Sequence, residues 1–234
     1  MTSAQPLIRP AKAMILAAGR GERLRPLSDR LPKALMQAGG RTLIELLLEA
    51  LAAAGVRETV INLSWLGEMI RERLGEGSRH GIRIHYSDEG DSALETGGGI
   101  RKALPLLGAE PFWVVNADLR TDFPFGDVRL RPQDLAWLML VANPAHNPGG
   151  DFGLRGSRIG ALGARHTFAG ISVLRPALFA GIEDEQFPLA PLLRAAAKAG
   201  RVAGKLYEGY WADAGTAERL AAIRWAGASA PSAL

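Results

Sequence analysis

Short runs rich in apolar residues recur along the chain, separated by longer segments in which apolar residues follow a helical period. Apolar runs of this length are typical of strands that are covered on both faces of a sheet. We therefore predict buried strands in the first part of the chain at residues 13–18, 58–62, 82–86, 112–115 and 136–141.

Amphipathic helices are predicted between these strands. In the segment 42–54, Thr42 and Glu45 have the spacing of a capping box, and Gly55 is a typical residue just beyond a helix end. Strands that alternate with helices predict an α/β fold: a Rossmann-like, mostly parallel sheet with helices on both faces. The other predicted helices are 66–74, 96–107, 189–199 and one that begins at residue 216.

The texture of the sequence changes after residue 142, where Gly, Pro and Asn become frequent. We predict a single domain with a core at about 12–142, a smaller, partly antiparallel lobe at about 143–215, and a C-terminal helix and tail at 216–234. The lobe contains strand-like segments at 152–155, 167–174 and 201–207. No repeat of fixed period and no hexapeptide array is present, so we expect a monomer without acetyltransferase activity.

Composition limits the classes of function. The chain has 47% hydrophobic and 22% charged residues, as ordinary globular proteins do. It has no cysteine, so disulfides, thiolate nucleophiles and Cys-based metal sites are excluded. The net charge of +4 without a long basic run favours small anionic ligands over nucleic acid. No apolar run approaches the roughly 20 residues of a membrane span, and no secretion signal is evident at the start, so we expect a cytoplasmic protein.

The loop after the first predicted strand carries the strongest chemical signal. It combines Gly19 and Gly21, which let backbone N–H groups approach an anion, with Arg20, Arg23 and Arg25, whose planar side chains suit phosphate. Ligands of open α/β sheets bind at the carboxyl ends of the strands, where this loop lies. Lys33, one of only five lysines, follows and supplies a further positive charge.

Two other features are expected at the same edge of the sheet. Asp118 follows the fourth predicted strand, so its carboxylate emerges beside the glycine loop. The three consecutive glycines Gly97, Gly98 and Gly99 open a predicted helix, at a cost of about 1 kcal/mol each relative to Ala. Something must therefore approach this helix closely; close packing of the helix on a strand would need fewer glycines.

These segments together resemble the sugar-phosphate nucleotidyltransferase family, in which a sugar 1-phosphate attacks the α-phosphate of a nucleoside triphosphate and pyrophosphate leaves. The resemblance extends from about residue 13 to residue 224, and it is the combination of motifs that is specific. The matching segments are Ala17 to Pro26 with Pro32-Lys33, Glu89-Gly90, Leu94 to Ile100, Asn116 to Asp118, Phe168 to Ser172 and Trp211 to Thr216.

The resemblance implies a role for each matching residue. Asp118 and Asp213 would bind Mg²⁺, which prefers carboxylate oxygens and usually takes one or two of them together with substrate phosphates. Lys33 and Arg23 would act on the phosphates, and the core would bind the nucleotide while the lobe faces the sugar. The nucleotide would contact Ala18, Gly19, Arg20, Gly21, Glu22, Arg23, Gly97 and Gly98, and the sugar would contact Asn116, Asp151 and Gly170.

The implied substrates are UTP and N-acetylmuramic acid 1-phosphate, in peptidoglycan recycling. The alternative is guanylyl transfer to mannose 1-phosphate, or another guanylyl or thymidylyl transfer to a sugar 1-phosphate. Ala34, Ala117 and Ala214 depart from the family pattern. The departures at Ala117 and Ala214 leave open a sensor that binds without turnover, although the retained Lys33 and two aspartates argue against it. A nicotinamide-dependent oxidoreductase is a third interpretation. It is weakened by Leu24, which stands where the dinucleotide motif needs its third glycine, and by Asn62, which ends the second strand in place of an acid.

Overall fold

A computed structural model describes residues 7–90 and 92–228 as a mixed α/β structure built around a nine-stranded sheet. The helices are α1 (Leu43–Ala53), α2 (Gly67–Leu74), α3 (Glu95–Leu107), α4 (Leu189–Lys198) and α5 (Ala217–Ala228). The strands of the large sheet are β2 (Lys12–Leu16), β5 (Glu58–Leu63), β6 (Arg83–Asp88), β7 (Phe112–Asn116), β10 (Ala136–Val141), β11 (Phe152–Arg155), β12 (Arg158–Gly160), β13 (Ala164–Leu174) and β14 (Val202–Leu206).

Six short strands form three separate pairs. They are β1 (Leu7–Ile8), β3 (Gln37–Ala38), β4 (Arg41–Thr42), β8 (Leu119–Thr121), β9 (Val128–Arg129) and β15 (Trp211–Asp213), paired as β1 with β9, β3 with β4 and β8 with β15. In the chain, β8 directly follows β7 and β15 directly precedes α5. Within the described residues, no helix has the length and apolar character needed to cross a membrane.

The large sheet has the strand order β10-β14-β12-β11-β13-β7-β2-β5-β6. Strands β7, β2, β5 and β6 are parallel, as the alternation of strands and helices predicts. Strand β10 corresponds to the last predicted run of the core, yet it lies outside the parallel set, between β13, with which it pairs antiparallel, and β14, with which it pairs parallel. The segment 143–215 adds strands β11 to β14 to this same sheet, so the antiparallel part continues the parallel part.

Helices pack on both faces of the sheet, which confirms the predicted α/β architecture. Along β2, Ala13 and Ile15 face a core formed with α1 and α2, whereas Met14 faces a core formed with α3 and α4. This alternation follows from the two-residue period of a strand. Full burial of side chains such as Ile15 and Met14 contributes about 1.5–3 kcal/mol each and holds the sheet rigidly between its helices.

Helix α1 begins with the predicted capping box. The Thr42 side chain accepts a hydrogen bond from the Glu45 N–H (3.3 Å), and the Glu45 carboxylate accepts one from the Thr42 N–H (3.1 Å). Arg73 of α2 donates to the same carboxylate at 2.9 Å and joins the two helices. Burial alone would raise the pKa of Glu45, but the hydrogen bonds from Arg73 and Thr42 outweigh it and lower the pKa to about 2.

Candidate active site

A cavity of about 590 Å³ lies at the carboxyl ends of β2, β5 and β7. The chain proceeds from β2 to β5 and β6 on one side and returns to place β7 on the other side of β2. Ligands of open α/β sheets bind at such a switch point. The cavity is lined by Leu16, Ala17, Ala18, Gly19, Gly21, Glu22, Arg23, Lys33, Ala34, Asn62, Glu89, Ala93, Glu95, Thr96, Asn116, Ala117, Asp118 and Gly215.

The glycine loop after β2 forms one wall of this cavity. Gly21 has a φ of +68°, a conformation that favours glycine, and its carbonyl accepts a hydrogen bond from the Ser28 hydroxyl at 2.8 Å. A short turn follows, in which Leu24 is buried while Arg23 is exposed and borders the cavity. The buried Leu24 helps to anchor the loop, which explains why an apolar residue stands where a dinucleotide-binding loop has glycine.

Arg20, which is predicted to contact the nucleotide, does not border the cavity. Its guanidinium lies 4.2 Å from the centre of the Trp65 ring, and one of its nitrogens is 3.7 Å from an Asp29 oxygen. The cation–π contact and the neighbouring carboxylate direct this side chain away from the ligand space. Arg25 likewise pairs with Asp29, at 3.2 Å, so only Arg23 among the three loop arginines borders the cavity.

Lys33 and Asp118 meet within the cavity. The Lys33 Nζ contacts the Asp118 Oδ2 directly, and the two side chains are 17% and 18% exposed. Asp118 is positioned by the end of β7, where the Ala117 N–H donates to the Leu16 carbonyl of β2 at 3.1 Å. A cation and a carboxylate that face the same partly buried space can together hold a polyanion and its counter-ion.

Asn62 and Glu89, which both line the cavity, form a polar network that no local sequence pattern predicts. The Ala17 N–H donates to the Asn62 Oδ1 at 2.8 Å, and the Asn62 Nδ2 donates to the Glu89 Oε1 at 2.7 Å. The other Glu89 oxygen accepts from the Leu94 N–H at 2.7 Å. Both residues are buried. Their signal in the sequence is a polar residue at or just after the carboxyl end of a strand, since Asn62 lies near the end of β5 and Glu89 follows β6.

The triple glycine is explained by packing within the protein. The Gly97 and Gly98 N–H groups donate to the Phe187 carbonyl, at 2.9 and 3.1 Å, so they are not free to contact a nucleobase. A Cβ on Gly97 would clash with the Phe187 ring, a Cβ on Gly98 with the Glu185 carbonyl, and a Cβ on Gly99 with the Glu89 carboxylate. Neither Gly97 nor Gly98 borders the cavity, and their contact with the nucleotide stays a prediction.

Glu95 borders the cavity in an unusual backbone conformation that the sequence does not signal. Its φ is +59°, in the left-handed region that a residue with a Cβ rarely adopts. Such conformations cost of order 1–3 kcal/mol and cluster at binding sites. Glu95 opens α3 directly before Thr96, which also borders the cavity.

Asp213 is near Asp118 through its backbone, but its carboxylate has other partners. β15 pairs with β8, and the Ala214 N–H donates to the Asp118 carbonyl at 2.9 Å. The two Asp213 carboxylate oxygens are 3.1 and 3.2 Å from two nitrogens of Arg219. The Gly215 N–H donates to one of these oxygens at 2.9 Å. Asp213 does not border the cavity, so the structure does not bring both predicted metal ligands to its wall.

The two acids fit a magnesium ion only if phosphates complete its shell. Within the described residues, no group of three or more His, Cys, Asp or Glu side chains could hold a metal ion. Magnesium typically uses one or two carboxylates together with substrate phosphates and water. Asp118, which faces the cavity, and Asp213, whose neighbouring residue is bonded to the Asp118 carbonyl, are compatible with that donor set.

Asp151 and Gly170, for which sugar contacts are predicted, do not border the cavity either. One Asp151 oxygen accepts from the Phe168 N–H at 2.8 Å and from Asn147 at 3.1 Å, so this carboxylate holds its own loop. Gly170 has a φ of +74°, and a Cβ there would clash with the side chain of Asn116. Gly170 therefore makes room for Asn116, which does border the cavity as predicted.

Comparison with known proteins agrees with this geometry. The family model described as nucleotidyl transferase matches residues 12–154, which is more than half of the chain. The chain belongs to the nucleotidyl transferase family. It is 48% identical over 221 residues to the N-acetylmuramate alpha-1-phosphate uridylyltransferase of Neisseria meningitidis serogroup B, an alignment that covers 89% of this chain and 95% of that protein.

Other relatives agree with the family assignment. The protein of the same name from Caulobacter vibrioides is 35% identical over 224 residues, which cover 88% of this chain and 92% of that protein. Among solved structures, a Bacillus anthracis protein in complex with sucrose, assigned as a glucose-1-phosphate thymidylyltransferase, superposes on this chain with a TM-score of 0.81 at 18% identity. That match covers 94% of this chain and 96% of the other, and it supports the fold.

Membership of this family makes the protein an enzyme that transfers a nucleotidyl group. Sugar phosphates and nucleotides are the class of substrate that fits the family, and its members generally use a divalent metal ion. The resemblance inferred from the sequence motifs is thereby confirmed. An oxidoreductase function is incompatible with this membership, in agreement with Leu24 and Asn62.

Proposed function

We propose that this enzyme transfers a uridylyl group from UTP to N-acetylmuramic acid 1-phosphate, forming the nucleotide sugar and pyrophosphate. The observation that carries the proposal is the meeting of Lys33 and Asp118 beside the glycine loop, in a cavity at the switch point of the sheet. The choice of UTP and of this sugar rests on the 48% identity to the uridylyltransferase from Neisseria meningitidis. We infer a cytoplasmic monomer that acts in peptidoglycan recycling.

The reaction is an in-line displacement at phosphorus. A phosphate oxygen of the sugar 1-phosphate forms a bond to the α-phosphorus of UTP, and the bond from that phosphorus to the pyrophosphate oxygen breaks. The attacking oxygen is already ionised, so no general base is required. Positioning and charge neutralisation supply most of the rate acceleration in phosphoryl transfer of this kind.

The lining residues divide these tasks. Backbone N–H groups of the loop from Gly19 to Arg23 hold the triphosphate, because glycines let the chain approach an anion closely. Lys33 contacts the α-phosphate, and Arg23 neutralises the departing pyrophosphate. Asn116 contacts the sugar phosphate from the end of β7.

Asp118 and Asp213 are the residues that would hold Mg²⁺, which, when bound, would neutralise phosphate charge. The carboxylate of Asp118 requires a cationic partner in its partly buried position, and Lys33 is that partner in the structure. Asp118 therefore also positions the Lys33 ammonium within the cavity. Segment 143–215 faces the sugar in this proposal.

The test measures kcat/KM for UTP and GTP, each paired with the 1-phosphates of N-acetylmuramic acid, N-acetylglucosamine and mannose. We expect the highest value for UTP with the muramic acid substrate. A preference for GTP with mannose 1-phosphate would refute the substrate assignment and support the guanylyltransferase alternative. A nucleotide-binding protein that turns over none of these pairs would support a sensor.

A matched pair of variants tests the site itself. Lys33→Met removes the positive charge of one lysine that lines the cavity. It should lower kcat by about 10²–10³-fold, as loss of one electrostatic contact to a transition state does. Arg30→Met removes one charge from an exposed position in the same loop region and should leave kcat unchanged. Equal activity of the two variants would contradict the role of Lys33.

A further inference from the structure

Three charged or polar side chains meet beside the cavity in a cluster formed by Asp213, Arg219 and His146. Besides its two contacts with Asp213, the Arg219 guanidinium lies 2.6 Å from the His146 Nε2. The His146 Nε2 is also 3.6 Å from an Asp213 oxygen. The cluster thus joins the end of β15, the first turns of α5 and the loop between β10 and β11.

Gly215 connects this cluster to the cavity. Gly215 borders the cavity, and the Arg219 guanidinium lies where a Cβ of residue 215 would stand. The absence of a side chain at position 215 therefore allows the guanidinium to lie directly against the cavity wall. No other residue type would leave this space free.

The guanidinium has hydrogen-bonding capacity that the protein does not use. The Arg219 Nε is buried and has no hydrogen-bond partner among the described residues. A buried donor without a partner is costly and needs an explanation, such as a ligand that pairs with it. Arg219 is 22% exposed and His146 is 42% exposed, so part of the pair is open to solvent.

We propose that Arg219, assisted by His146, binds an anionic group of the sugar substrate. This inference rests on the proposed function, and the group is either the carboxylate of the lactyl substituent or the phosphate of the sugar 1-phosphate. The planar carboxylate and the tetrahedral phosphate both carry oxygen atoms that can accept charge-assisted hydrogen bonds from a guanidinium. The loop that contains His146 belongs to segment 143–215, which is proposed to face the sugar.

The product of the proposed reaction and two related nucleotides distinguish the two sources. UDP-N-acetylmuramic acid carries the carboxylate and the phosphate derived from the sugar 1-phosphate. UDP-N-acetylglucosamine carries that phosphate without the carboxylate, and UMP carries neither. Dissociation constants of the three ligands are measured by calorimetry for the wild type, Arg219→Met, Arg219→Lys and Arg194→Met. Arg194 is an exposed residue of α4, so Arg194→Met controls for the loss of one arginine charge from a helix.

If Arg219 binds the lactyl carboxylate, Arg219→Met should weaken the binding of UDP-N-acetylmuramic acid alone. The dissociation constant should rise by about tenfold or more, as expected for the loss of a charge-assisted hydrogen bond. A phosphate-binding site predicts equal weakening of both nucleotide sugars and unchanged binding of UMP. Arg219→Lys should recover part of the affinity, and Arg194→Met should match the wild type. Unchanged affinity for both nucleotide sugars, or equal loss for all three ligands, would overturn the proposal.

Thermal unfolding of each variant shows whether the fold is kept. If Arg219→Met fails to fold, His146→Ala replaces it, because His146 lies in an exposed loop; it should show the same ligand pattern with a smaller loss. Failure of the wild type to bind either UDP-sugar would refute the proposed function itself. Normal binding by the wild type with unchanged selectivity in the variants would refute this inference alone.

Discussion

Replacement of Gly98 by alanine separates two explanations for the triple glycine. An alanine Cβ would lie more than 1 Å closer to the Glu185 carbonyl oxygen than ordinary van der Waals contact allows. That oxygen belongs to the backbone, so it moves only if the segment before α4 moves. The same movement would break the hydrogen bonds from the Gly97 and Gly98 N–H groups to the Phe187 carbonyl.

The expected loss of stability follows from these contacts. Two broken hydrogen bonds cost about 2 kcal/mol, and overpacking of a buried position costs about 2 kcal/mol more. The higher helix propensity of alanine offsets about 1 kcal/mol. The net destabilisation of Gly98→Ala is therefore about 3 kcal/mol, which lowers the melting temperature of a chain of this size by about 6–12 °C.

Urea unfolding of the wild type, Gly98→Ala and Gly149→Ala tests this estimate. Gly149 is exposed, and a Cβ there would contact nothing within 4 Å, so its replacement should change stability by less than about 0.5 kcal/mol. UTP binding is measured on the same samples at a temperature where all are folded. Wild-type stability of Gly98→Ala combined with a loss of UTP affinity would refute the packing explanation and restore the predicted contact with the base.

Two further predictions concern the acidic residues. Asp118→Asn and Asp213→Asn should each lower kcat by about 10²–10³-fold with a native unfolding transition, because each removes a carboxylate proposed to bind the metal; near-normal activity with unchanged metal dependence would contradict that role. The pKa of Glu45 is lowered to about 2 in the folded protein. The stability it contributes, about 2–3 kcal/mol, is therefore present above pH 4.5 and lost as the pH falls towards 2. Glu45→Gln should remove this part of the pH dependence in chemical unfolding; an unchanged profile would contradict it.

Several features of this protein follow from residues that are close together in the sequence. The capping box at Thr42 depends on a residue three positions away, and the strands of the parallel half follow from short apolar runs. Lys33 and Asp118 are far apart in the sequence, yet their meeting is predictable in outline. Parallel strands end at one edge of a sheet, so residues that follow β2 and β7 are brought to the same side.

Other features depend on contacts that no local pattern specifies. Gly98 packs against Glu185, nearly ninety positions later, and Arg20 turns to Trp65 instead of the cavity. Asp213 contacts Arg219 because Gly215, which lies between β15 and α5, has no side chain and leaves space for the guanidinium. Hydrophobic period and caps are properties of neighbouring residues, and they fix which segments become strands and helices. The direction of a polar side chain depends on which of several nearby partners the packed elements offer it, so the tertiary structure alone decided which predicted residues reach the cavity.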